Sequence, residues 1–90
     1  MAEIKDVLKQ RGNVHGAFKN NASISQQLKT VVASSMNYCQ LSAVQKEALD
    51  LICGKISRVL SGNPDFPDHW LDIEGYARLV YNDLPTREEK

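Results

Sequence analysis

Apolar residues recur along the chain at intervals of three and four, the spacing that places side chains on one face of a helix. No stretch shows the strict alternation of a strand. Four helices are predicted, joined by short connections. The first spans roughly residues 2–10, where Ile4, Val7 and Leu8 share a face and Gly12 ends the pattern. The stretch RGNVHGAFKNN, residues 11–21, reads as a structured loop pinned to the core by Val14 and Phe18. The second helix runs from about Ala22 to Ser34, with Ile24, Leu28, Val31 and Val32 as its stripe and Asn21 or Ser23 as its cap.

Stronger punctuation marks the last two helices. Ser42 followed by Gln45 is a capping box, so the third helix should start at Ala43 and run to about Leu60, with Gly62 as its terminating glycine. Pro67 fits the first turn of the fourth, which continues to about Leu84. Residues 85–90 are a polar tail. The expected architecture is a small all-α, four-helix domain over residues 1–84, open to completion by dimerisation. A chain of 90 residues buries only roughly 60–65% of its unfolded surface, so a second copy would enlarge a modest core.

Helical wheels locate the chemistry. On the third helix Val44, Ala48, Leu51, Ile52, Ile56 and Val59 form a broad apolar arc. Lys55 falls inside it, so its ammonium must snorkel or meet an anion. Glu47, Asp50, Gly54 and Arg58 form a strip beside the arc. On the fourth helix Trp70, Ile73, Ala77, Val80, Tyr81 and Leu84 read as the core stripe, with Trp70 in the core. Asp68, Asp72, Gly75, Tyr76 and Leu79 make a second strip. Glu47 with Asp50, and Asp68 with Asp72, are carboxylate pairs at spacings that share a helix face. If the two strips face each other, the glycines letting them close up, four carboxylates could cage a hard cation such as Mg²⁺. Lys55 and Arg58 would stand by for phosphate, and Tyr76 would line the pocket. Plain ion pairing, with Lys55 and Arg58 bridged to Asp72 and Asp68, is the competing reading of the same residues.

Composition narrows the partners. Lys+Arg and Asp+Glu number 11 each, so no net field draws the chain to nucleic acid or an anionic membrane, and nucleic acid is not an expected partner. No apolar run approaches the roughly 18 residues of a membrane span and residues 1–10 do not resemble a leader, so a cytoplasmic location is expected. Cys39 and Cys53 fit no metal-ligand spacing, and Cys53 reads as a buried structural thiol. His15 reads as a hydrogen-bonding loop residue, and with His69 it is too isolated in sequence to suggest zinc.

The segments KEALDLICGKISRVLSG and DHWLDIEGYARLV, with RGNVHGAFKNNASISQQLK before them, resemble a family of small uncharacterised phage and prophage proteins, over most of the chain. A more distant similarity is to the MazG-like, all-α nucleoside triphosphate pyrophosphatases and the dimeric dUTPases. That resemblance implies Mg²⁺ on paired acids of two successive helices. Glu47 and Asp50 match the first pair, and Asp72 closes the second. His69 occupies the position three before Asp72, so Asp68 must substitute from one residue earlier. Two functions are therefore expected as alternatives. One is Mg²⁺-dependent nucleotide binding or pyrophosphohydrolysis by a homodimer. The other is a phage-encoded interaction protein that binds a host or phage partner through a helical face.

Overall fold

A computed structural model describes residue 4 and residues 14–85. Within them the chain is helical, with no strand. Helix α1 spans Phe18–Ala33, a single 3₁₀ turn spans Tyr38–Gln40, α2 spans Ala43–Ser61, and α3 spans Pro67–Asp83. The expected helix over residues 2–10 lies outside the described residues except at Ile4, which is helical and exposed. The central helix α2 packs against both α1 and α3.

Local chemistry explains the boundaries. Ser42 Oγ accepts the Gln45 N–H at 3.1 Å and Gln45 Oε1 accepts the Ser42 N–H at 2.9 Å, closing the capping box at the start of α2. A cap of this kind contributes about 1 kcal/mol. Pro67 opens α3, and Asp68 puts a negative charge in its first turn, favourable to the helix dipole. Helix α1 begins four residues earlier than its sequence pattern suggests, since Phe18–Asn21 join it. Ala17 is its N-cap and no side chain caps it, so neither Asn21 nor Ser23 plays that part.

The segment 14–16, helical at Val14 and His15, interlocks with the end of α2. The Asn63 N–H donates to Val14 O at 2.9 Å, and Ser61 Oγ donates to His15 O at 2.9 Å. Gly16 has φ +86°, and a Cβ there would lie 2.3 Å from Ser61 O. A Cβ on Gly62 would lie 2.4 Å from Val14 O. Gly62 thus ends α2 with φ −124°, outside the left-handed region, and its lack of a side chain serves the contact with residues 14–16 instead. Beside this contact His69 is 1% exposed. Its Nε2 lies 3.3 Å from His15 Nδ1, and the Phe66 ring stands edge-on to it, centroids 5.0 Å apart.

Helix α3 is turned relative to expectation. Its inward face is His69, Asp72, Ile73, Tyr76 and Val80, a recurrence at three and four that merges the polar strip with part of the apolar one. Trp70 is 53% exposed and Tyr81 67% exposed, so they are not core residues. The Trp70 indole N–H donates to Pro64 O at 2.7 Å, which settles its polar end at the surface. Phe18, at 83% exposure, does not anchor the preceding segment either. Among the described residues, Ala48 and Cys53 are the apolar side chains that are buried, together with the polar Ser25, Ser57 and His69.

The glycines make a sharp prediction. Gly16→Ala adds a side chain to a left-handed backbone and drives it into Ser61, and should destabilise by about 2–4 kcal/mol in chemical unfolding. Gly54 and Gly75 have open space where a Cβ would stand. Alanine at either should stabilise the isolated chain by about 0.5–1 kcal/mol through helix propensity alone. Destabilisation by Gly75→Ala would mean that another surface already fills that space.

Candidate functional site

The groove that carries the most chemistry is built mainly by α1 and α2. It has a volume of about 360 Å³; its polar lining comes from Asn21, Ser25, Gln26 and Lys29 of α1, Asp50, Lys55 and Arg58 of α2, and Tyr76 of α3, and its apolar lining from Phe18, Ala22 and Leu51. The α1 contribution follows from spacing, because Asn21, Ser25 and Lys29 recur every four residues along one face. That polar stripe is legible in the sequence beside the apolar Ile24–Leu28 stripe, and it is the signal that points to Asn21 and Lys29. Gly54 has open space where a Cβ would stand, so the α2 wall is low there.

Lys55 resolves its misplacement in the apolar arc by an ion pair. Its Nζ lies 2.7 Å from Asp72 Oδ2, with the lysine side chain 17% exposed and the aspartate 41% exposed. The hydrogen bond from Lys55 holds the Asp72 carboxyl below the usual carboxylate range. Burial pushes the Cys53 thiol above its usual value. The Asp50 carboxylate adds to that rise and the Lys29 ammonium opposes it, so both charges reach the same stretch of α2. Cys53 is accordingly an inert packing residue, whereas Cys39 is an exposed thiol.

The sequence-derived site is divided by the fold. Asp50, Lys55, Arg58 and Tyr76 come together on the groove, and Asp72 is joined to it through Lys55. Glu47 instead lines a neighbouring, nearly apolar groove of about 370 Å³ between α2 and α3, with Val44, Leu51, Tyr76, Leu79 and Val80. Asp68 lies in the first turn of α3. Among the described residues no group of three or more His, Cys, Asp or Glu side chains comes together to hold a metal ion. The cage of Glu47, Asp50, Asp68 and Asp72 is therefore not assembled within one chain. The physical reason is that Asp72 is committed to Lys55, Glu47 is turned toward the apolar α2–α3 groove, and Asp68 is exposed in the first turn of α3. Nor do Gly54 and Gly75 bring two strips into contact, as both face open space.

No protein-family model, curated protein or solved structure matches this chain. Its site must be read from its own geometry. The groove sets Lys29, Arg58 and the Asp72-paired Lys55 against Asp50, with neutral hydrogen-bonding groups from Asn21, Ser25 and Gln26 and an aromatic ring at Tyr76. That combination suits a small ligand with an anionic part and a flat or polar part. No helix among the described residues is long and apolar enough to cross a membrane.

The Lys55–Asp72 pair sets a pH dependence. A carboxyl with a depressed folded-state value stabilises fully above its unfolded value, about 3.9, and that contribution is lost as pH falls through the folded one. Wild type should therefore exceed Asp72→Asn in stability at neutral pH, and the two unfolding curves should converge as the medium is taken below about pH 3.9. A gap that stayed constant across this acid range would show that the pair is not the source of the difference.

Proposed function

We propose that the chain binds a phosphorylated small molecule, of the nucleotide class, in the α1–α2 groove. The observation that carries this reading is the convergence of Lys29, Lys55 and Arg58 on one concave surface in a chain whose total charge is zero. Lys55 is already paired with Asp72 and Asp50 lines the same space, so Arg58 and Lys29 are the cations the groove offers a ligand. Arginine and lysine are the side chains that bind phosphate oxygens. Tyr76 supplies a ring at the wall for a base.

The donor set bears on Mg²⁺. One chain lacks the four-carboxylate cage, but Mg²⁺ is more often held by one or two carboxylates plus the phosphates of its ligand. Asp50 on the groove wall fits that smaller role. The ion would neutralise phosphate charge. Nucleotide binding is thus the core of the proposal. Pyrophosphohydrolysis, the activity suggested by the similarity to MazG-like enzymes, is its extension, and it would need carboxylates from a second chain. The likeness to phage and prophage proteins suggests a setting inside an infected bacterial cell.

A second reading rests on a different observation. Helix α3 exposes Leu71 at 61% and Leu79 at 64%, with Gly75 open between them at the same four-residue spacing. Two protruding leucines around a small residue form a self-complementary surface, the kind that a two-fold dimer uses. Association of two copies through α3 is proposed here, and it is compatible with the groove, which lies mainly on the α1 side of α2. An interaction protein that binds an unlike partner through the same face is the alternative.

Thermal unfolding with added ligand tests the first reading. Mg²⁺ together with a nucleoside triphosphate should raise the melting temperature by several degrees, since ligand at about 100 times Kd stabilises by about 2.7 kcal/mol. Arg58→Ala should remove most of the rise. The same samples, assayed for released pyrophosphate, separate binding from cleavage. No shift with any nucleotide or with inorganic phosphates would sink the groove reading. For the second, sedimentation of the wild type should show a dimer, and Leu79→Glu should shift it toward monomer without loss of helix content. A wild type that stays monomeric at high micromolar concentration removes self-association.

A further inference from the structure

The two ends of the groove differ in chemistry. Helices α1 and α2 run antiparallel, because Asn21 meets Ser57 near one end while Lys29 and Asp50 act on Cys53 nearer the other. Asn21 and Lys29 are eight residues apart on α1, and Asp50 and Arg58 eight apart on α2. At the rise of an α-helix each separation is about 12 Å. One end of the groove therefore holds Asn21 and Arg58. The other holds Lys29 and Asp50, whose charges offset each other. Lys55 lies between them and is already paired with Asp72.

Asn21 is oriented by a buried neighbour. Ser57 is 0% exposed, and its hydroxyl donates to Asn21 Oδ1. The hydroxyl also lies within hydrogen-bond distance of Gly54 O, at 2.7 Å, so Ser57 is shared between its own helix and Asn21. With its oxygen occupied by Ser57, the Asn21 amide offers N–H donors to the groove it lines. Beside Arg58 this sets amide and guanidinium donors at one end, with Phe18 and Ala22 on the same wall.

We infer that the ligand lies along the groove with its phosphates at the Asn21–Arg58 end and its uncharged moiety toward Lys29 and Asp50, and that Asn21, held by Ser57, is a phosphate-binding residue. This rests on the phosphorylated-ligand reading and adds a direction to it. Asn21 is then a ligand contact and Ser57 a positioning residue. The balanced pair at the far end discriminates among uncharged groups, because a cation and an anion together accept both hydrogen-bond polarities.

Calorimetric titration of the full chain tests this, using the mono-, di- and triphosphate of one nucleoside with Mg²⁺, then triphosphates of four different bases. Wild-type affinity should climb with phosphate number. Asn21→Asp keeps an acceptor for Ser57 but turns a donor into a negative charge, so it should weaken triphosphate binding by roughly 10-fold or more, as expected for a lost hydrogen bond to a charged group, and flatten the climb. Arg58→Gln, which leaves the Ser57 contact alone, should flatten it too, and Ser57→Ala should do so partially. Lys29→Ala and Asp50→Asn should retain the climb and alter the preference among bases. Circular dichroism on each variant checks that the fold is retained. Loss of the climb in Lys29→Ala with its retention in Asn21→Asp and Arg58→Gln would overturn the orientation while leaving the groove as the binding site. Wild type that binds none of the nucleotides removes the underlying reading, and the orientation with it.

Discussion

A lysine ammonium set within an apolar helix face has to find an anion, and that requirement governs how this chain packs. Lys55 lies between Leu51 and Val59 on α2, where an uncompensated charge costs several kcal/mol. Asp72 meets it at 2.7 Å. To bring Asp72 there, α3 must present the edge that also carries His69 and Tyr76. His69 is then driven into the junction with His15 and Phe66, and Tyr76 onto the groove. The same rotation carries Trp70 and Tyr81 outward. One ion pair thus sets which side of α3 is interior, which residues reach the site, and which apolar surface is left over.

The trade is legible in the energetics. An ion pair with one partner 41% exposed contributes little net stability on its own, because desolvation and ordering oppose the Coulomb attraction. It acts instead by excluding alternatives. What stability the fold has must come from half-buried contacts along α2, from the capping box, and from the interlocked segments at Gly16 and Gly62. Those two glycines matter because backbone meets backbone there. His15 O and Val14 O are tied to the end of α2, and that tie holds the segment before α1 against the turn before α3.

Sequence alone exposes much of this and hides the rest for definite reasons. The limits of α2 and α3 are readable because Ser42, Gln45 and Pro67 are local signals whose effects do not depend on tertiary packing. The start of α1 is not, since Ala17 and Phe18 carry no capping chemistry. The inward face of α3 is ambiguous because two strips of that helix are apolar enough to be buried, and the choice between them is made by Lys55 on another helix. The same ambiguity scattered the carboxylates. Spacing correctly puts Glu47 and Asp50 on one side of α2, but a helix face is wider than a ligand site, and a step of three residues separates an apolar groove from a charged one. Asp50, Lys55, Arg58 and Tyr76, grouped by the wheel, do line one groove. Asn21 and Lys29 needed the polar period of α1 to be read with the same weight as its apolar period. The deep burial of His69 had no local signal, since it depends on His15 from a distant segment.

A small interior also changes what ligand binding means for such a chain. Ala48 and Cys53 are the buried apolar side chains among the described residues, and a chain of 90 residues buries a modest share of its surface. Anything that binds only that state raises its stability in proportion to the logarithm of its concentration over Kd. A ligand in the groove would touch side chains from α1, α2 and α3 together, and so would replace some of the cross-helix contact that the core does not supply. A second copy against Leu71 and Leu79 would do the same from outside. The two effects act on one folding equilibrium, so their stabilisations against unfolding add even if the two surfaces never touch. Linkage of this kind follows from a single folded state, with α2 as the element shared by both surfaces.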